Sequence, residues 1–140
     1  MTQEDKELLL KDLCARLPYG VKCYIPEINI VRTLGTVQYD EENTLFDFWD
    51  ETHTRYEHQL YLSEFKPYLF PLSSMTEEQC YKLASIRSGF QDCWKFIKTP
   101  IPLSICNFEQ IEWFHKNHFD YRGLIEKGLA IDATGLNIYK

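Results

Sequence analysis

The chain has 140 residues, 44% hydrophobic, 26% charged and 15% aromatic, a make-up that fits a folded globular domain and excludes intrinsic disorder or a plain coiled coil. That length suits one domain spanning residues 1–140, and about two thirds of the extended surface can be buried, so an ordinary core needs neither metal nor disulfide. Twenty-one acidic against 15 basic side chains leave a formal charge of −6, which opposes a partner held through phosphates and predicts no nucleic-acid binding.

The chain opens with a predicted helix over 3–17. Leu10, Leu13, Cys14 and Leu17 recur at helical spacing, Thr2 supplies the N-cap, and Pro18-Tyr19-Gly20 supplies the stop. Strand chemistry follows. Val21, Cys23 and Ile25 alternate with polar residues, as do Ile28, Ile30 and Leu34, and the phase then switches to Val37 and Tyr39, which points to a β-bulge at Gly35. Asp40-Glu41-Glu42-Asn43 reads as a turn joining strands 28–39 and 44–49, with Phe46 and Phe48 on one face. Tyr56, His58, Leu60 and Leu62 alternate as a further strand. Pro67 and Pro71 bracket Tyr68-Leu69-Phe70, and two missing backbone donors predict an edge strand or a crossing segment there.

The second half carries helix punctuation. Thr76-Glu77-Glu78-Gln79 and Asn107-Phe108-Glu109-Gln110 are capping boxes, with staple pairs Met75/Cys80 and Cys106/Ile111. The first starts a stripe of Cys80, Leu83, Ala84, Phe90, Cys93, Trp94 and Ile97, weakened at Gly89, before Thr99-Pro100-Ile101-Pro102 forces extended chain. The second starts a helix over 108–118. A short helix at 121–127, stopped by Gly128, and a strand at 129–133 complete an α+β fold: an antiparallel sheet from the first half, covered by the N-terminal helix and the later helices.

The five cysteines, Cys14, Cys23, Cys80, Cys93 and Cys106, form no C-x-x-C pair and have an odd total, so neither a zinc ribbon nor a disulfide framework is expected. The amino terminus is acidic where a signal peptide needs a basic start, and no apolar run approaches a membrane span. A reducing cytoplasm and no membrane attachment are the expectation.

Three stretches, Leu17-Pro18-Tyr19-Gly20-Val21, 66–76 from Lys66-Pro67-Tyr68 to Thr76, and 119–130 from Phe119-Asp120-Tyr121 to Ala130, resemble recurring blocks of short uncharacterised proteins from gut Bacteroidales genomes and their phages. The likeness spans most of the chain. It implies a cytoplasmic, phage-derived accessory protein and transfers no reaction, cofactor or catalytic residue.

Several side-chain groups could carry chemistry. Glu112, His115 and His118 stand three apart on the predicted helix, where two imidazoles and a carboxylate can share a divalent metal; the alternative is that both histidines are half-buried on the stripe of Phe108, Ile111 and Phe119. Asp50, Glu51, His53, Glu57 and His58 form the densest acid and histidine cluster, open either as an acid/base site or as a solvated loop. Cys14, Cys80 and Cys106 read as core thiols. Ser73-Ser74 precedes a helix start without a glycine-rich phosphate loop, so capping accounts for it. Tyr56, Tyr61, Phe65, Tyr68 and Phe70 crowd one segment beside Arg55, which suits protein recognition as well as core filling.

These features favour a non-enzymatic accessory or protein-interaction protein, with Tyr68, Leu69 and Phe70 as the surface for a protein partner or a second copy. The alternative is a small metal-dependent or acid/base enzyme using Glu112, His115 and His118. No cofactor is expected. Thermal unfolding with and without chelator and reductant should coincide; a large drop with chelator would instead establish a structural metal.

Overall fold

The computed structural model describes residues 1–39, 43–86 and 107–139. Helix α1 covers Gln3–Arg16 and starts at Thr2 as the sequence predicts. Thr2 Oγ1 accepts from the Asp5 amide at 3.1 Å, and the Asp5 carboxylate accepts from the Thr2 amide at 3.3 Å. A short 3-10 turn over Leu17–Tyr19 carries Pro18, and Gly20, at φ 71°, ends it in the left-handed region that glycine adopts without penalty.

Strands β1 (Lys22–Ile25), β2 (Ile30–Tyr39), β3 (Thr44–Trp49), β4 (Tyr56–Tyr61) and β5 (Lys66–Pro71) form the sheet of the first half, followed by α2 (Glu77–Ser85), α3 (Phe108–Lys116), β6 (Phe119–Asp120) and β7 (Ile131–Asp132). The strand order is β4-β3-β2-β1-β5-β6, with β7 also pairing to β5. Neighbours from β4 to β5 are antiparallel, and the two short C-terminal strands add to β5 in parallel, making the sheet mixed. The fold is α+β.

The β2–β3 register shifts between Leu34 and Thr36, which is the bulge expected at Gly35. A second bulge was not expected. Between Phe46↔Leu60 and Phe48↔Glu57, β4 carries an extra residue, and His58 takes φ 58°. The bulge splits the predicted face: Leu60 and Leu62 pack against the core, whereas Tyr56 pairs with Trp49 on the opposite side.

Beneath the sheet, Leu9 and Leu13 of α1 meet Val21, Cys23, Ile25, Leu34, Phe46, Phe48, Phe65 and Leu69. Phe65 is wedged edge-on between Phe46 and Phe48, with centroids 5.1 and 5.0 Å away. Leu124, Leu129 and Ala130 close this core from the C-terminal side. A second cluster joins Cys80 and Leu83 of α2, Phe114 of α3, Met75, Phe119 and Tyr121.

Several expectations are corrected. The buried face of α1 is Leu9, Asp12, Leu13 and Arg16, one residue out of phase with the predicted stripe, and Cys14 is exposed. The helix turns this way because Asp12 and Arg16 are buried as a bonded pair. Segment 121–127 is a series of turns rather than a helix. Phe108 is 79% exposed instead of lying on the buried stripe of α3. Strand β5 is interior, between β1 on one side and β6 and β7 on the other. Its prolines fit because each ladder on β5 is only two register pairs long, and they sit near the strand's ends. Residues 40–42 of the predicted turn, the stripe from Phe90 to Ile97 with Gly89, Thr99–Pro102, and the Cys106 staple lie outside the described residues.

The α1 phase has a direct test in urea unfolding. Asp12→Ala should cost roughly 3 to 5 kcal/mol, because it leaves the buried Arg16 guanidinium without its carboxylate and unpairs the partly buried Arg122, while Cys14→Ser should stay within about 0.5 kcal/mol. The reverse ranking would mean that the apolar stripe, not the ion pair, faces the core.

Candidate functional site

The side chains that could carry chemistry fall into three groups. The first surrounds Asp12. Its Oδ2 accepts from Arg16 Nε at 2.7 Å and its Oδ1 from Arg122 Nε at 3.0 Å. Arg16 Nη2 also donates to the Phe119 carbonyl at 2.6 Å. Both guanidiniums lie over the Tyr121 ring, at 5.5 and 4.9 Å from its centroid. The Tyr121 hydroxyl meets His115 Nε2 at 2.6 Å. Asp120 fixes the following turn, its carboxylate accepting from the amides of Arg122, Leu124 and Ile125.

Glu112, His115 and His118 do not converge. Glu112 Oε1 accepts from the Tyr19 hydroxyl at 2.8 Å, which lowers its pKa and raises that of Tyr19. His115 is held by Tyr121, and its ring stacks on Tyr19. His118 lies beyond the end of α3 at φ 61°, so the spacing of three no longer places it beside His115; its ring stacks on Tyr139 at 3.6 Å. Among the described residues, no group of three or more His, Cys, Asp or Glu side chains is placed to hold a metal.

Both histidines are neutral at ordinary pH. Burial pushes each pKa from 6.5 to about 4, reinforced by the positive charge of Arg16, with Arg122 also acting on His115 and Lys22 on His118. His118 Nδ1 has no hydrogen-bond partner among the described residues.

The second group is the 50–55 loop. Asp50 accepts from the amides of Thr52 and Thr54 and from both hydroxyls, and these bonds, led by the Thr54 amide, hold its pKa at about 2. His53 stacks on Trp49, and Arg32 lies 3.4 Å from Glu51 and 3.6 Å from Glu57. The dense acid cluster is therefore a turn tied to itself and to two arginines, Arg32 and Arg55, the latter 3.6 Å from Asp50. Ser73 and Ser74 sit in a 3-10 turn, where the Ser74 hydroxyl donates to the Pro71 carbonyl at 2.7 Å.

The third group is aromatic. Of the five crowded rings, Phe65 and Tyr68 are buried and Phe70 is half-buried against Phe119 and Tyr139. Leu69 is fully buried in the main core. Both faces of Tyr68-Leu69-Phe70 are thus occupied within the chain, and of the two readings, edge strand or crossing segment, the edge is excluded. The exposed rings are Tyr56 and Tyr61, at 47% and 49%.

By register these two lie on the face of the sheet away from Phe46 and Phe48, and Tyr61, at the end of β4, also borders a cavity that Gln3, Lys6, Glu7 and Leu10 of α1 help to line. Strand β3 alternates regularly: Phe46 and Phe48 point to the core, and Leu45, Asp47 and Trp49 point outward. Leu45 pairs with Tyr61 and Trp49 with Tyr56, so both tyrosines share the outer face. Tyr56 packs 4.4 Å from Trp49 and lies across Gly35, where a Cβ would meet the ring at 2.6 Å. Between the tyrosines, Asp47 Oδ2 accepts from Thr36 Oγ1 at 2.9 Å and from Gln38 Nε2 at 2.6 Å, and Gln59 Nε2 donates to Gln38 Oε1 at 3.3 Å. Sequence periodicity misses this face because the β4 bulge, not a hydrophobic pattern, turns Tyr56 outward. The bulge residue at Gly35 is the visible trace of it.

Cys14 and Cys23 are free thiols; Cys93 and Cys106 lie outside the described residues. Among the described residues no helix is long and apolar enough to cross a membrane. No family model, curated protein or solved structure matches the chain.

The buried histidines make acid sensitivity predictable. A folded-state pKa below the unfolded value means that stability is fully present above about pH 6.5 and is lost as pH falls toward 4. Asp50 contributes only further down, between about 4 and 2. Urea unfolding at about pH 7.5 and 4.5 should show a clear loss, and His118→Asn, which tolerates the positive φ, should shrink it. Equal stability of the parent chain at both pH values would mean the histidines already ionise freely in the fold.

Proposed function

We infer that this chain is a non-enzymatic accessory protein that acts by recognition, and that the outer face of β2, β3 and β4 is its recognition surface. One observation carries the reading: half-exposed Tyr56 and Tyr61 flank a bonded polar set on a face that the core does not use. Among the described residues, four groups that a catalyst could use are engaged elsewhere. Asp12 is shared by two arginines, His115 by Tyr121, Glu112 by Tyr19 and Asp50 by two threonines. The free thiols of Cys14 and Cys23 support a reducing cytoplasm as the compartment. The three blocks that resemble short proteins of gut Bacteroidales and their phages support an accessory role.

Residues kept for recognition contribute little to folding. Tyr61→Ala and Asp47→Asn should each unfold within about 1 kcal/mol of the parent chain, against roughly 3 to 5 kcal/mol for Phe65→Ala in the core. A loss at Tyr61 as large as that at Phe65 would make the outer ring structural and defeat the reading.

A further inference from the structure

We propose that the outer face of β2, β3 and β4 binds a neutral oligosaccharide, with Tyr56 and Tyr61 as stacking surfaces and Asp47, Gln38 and Gln59 as hydrogen-bonding groups. The proposal rests on the recognition reading above and adds the chemical class of the ligand.

Three features converge on it. The first is the flat seat of Tyr56. Gly35 leaves no side chain beneath the Cδ1–Cε1 edge of the ring, so the ring lies against the sheet with Trp49 beside it, and the residue keeps 47% of its surface exposed. An apolar ring face with polar neighbours suits a sugar, whose C–H face is apolar and whose rim is hydroxyl.

The second is the state of Asp47. Thr36 and Gln38 both donate to Oδ2, which fixes the carboxylate, and no hydrogen bond reaches Oδ1 among the described residues. A fixed acceptor beside the amides of Gln38 and Gln59 offers both acceptors and donors, the complement of a hydroxyl pair.

The third is charge and spacing. The chain carries −6 overall, and Asp47 stands in the middle of the strip, so a phosphate-bearing strand would be repelled. Protein interfaces are depleted in carboxylates at their centre, which makes a protein partner the poorer fit for a strip centred on Asp47. Tyr56 and Tyr61 lie about 15 Å apart along β4 by strand rise, too far for one monosaccharide to cover both, so the ligand is an oligomer.

Titration calorimetry with a panel of neutral hexasaccharides (β-1,4-glucan, α-1,4-glucan, β-1,4-xylan and β-1,4-mannan) tests it. At least one member should bind with Kd below about 1 mM, and Tyr56→Ala or Asp47→Asn should weaken it roughly tenfold. Tyr61→Ala, which disturbs no packing around Gly35, should weaken the same ligand, while Glu4→Gln on α1 should not. Silence across the whole panel overturns the proposal. So does sugar binding unchanged by the Tyr56 and Tyr61 variants, as does a face that instead binds single-stranded DNA or mediates self-association. If Tyr61→Ala proves strongly destabilising, the recognition reading fails; if the variants fold normally and no sugar binds, only the ligand class fails.

Discussion

The carboxylate of Asp12 lies between two guanidiniums, and most of the molecule is arranged to permit it. A buried carboxylate without partners would be protonated or expelled. Here Arg16, one turn along the same helix, supplies the first partner, and Arg122, from the turn after β6, supplies the second. Arg16 reaches further, to the Phe119 carbonyl, so a single side chain joins α1 to β6. Both ends of the chain are thereby held on one charge, while Leu9 and Leu13 on the same helical face complete the core beneath the sheet. The positive excess around Asp12 also acts on its surroundings, since Arg16 disfavours the protonated form of both His115 and His118.

How much of this is legible in the sequence follows from how local each cause is. The capping boxes at Thr76 and Asn107 are legible because a box is set by residues three apart, and both form as read, while at Thr2, read as an N-cap, Asp5 completes a box as well. The Gly35 bulge is legible because a change of alternation has to occur somewhere between Leu34 and Val37. The burial of Asp12 and Arg16 is not legible, because hydrophobic periodicity gives charged residues to solvent and the compensating Arg122 lies 110 residues away. His118 escapes for a related reason: α3 ends at Lys116, two residues short of the predicted end, and a spacing argument holds only while the helix continues.

The candidate surface shows the same division. Crowding of aromatic rings between Tyr56 and Phe70 is plain in the sequence, but which of them face solvent depends on the bulge at His58 and on strands contributed by the far end of the chain. Those strands cover β5, where two prolines had suggested an edge. The outer tyrosines are left over by that arrangement, on the side of the sheet away from Phe46 and Phe48.

Strand β5 can be interior because another side chain repairs its ladder. Cys23 pairs with Pro67 and Tyr24 with Lys66, so Lys22 and Tyr68 are next in register. They are joined through Tyr139. Its hydroxyl accepts from the Lys22 amide at 2.8 Å and donates to the Tyr68 carbonyl at 2.8 Å, occupying the place of a direct backbone bond. Burial in that position pushes the phenol pKa up, and the ring is held by stacking on His118 and by tilted packing against Phe70. The segment around Tyr139 therefore closes the seam between β1 and β5. At the opposite end of the sheet β4 has only β3 as a partner among the described residues, and it carries the two exposed rings. Its bulge at His58 twists the strand and interrupts the regular row of backbone groups that a further strand would need. What β4 presents is thus a set of side chains rather than a free ladder, and a ligand that stacks and hydrogen-bonds through side chains fits it better than one that adds a strand.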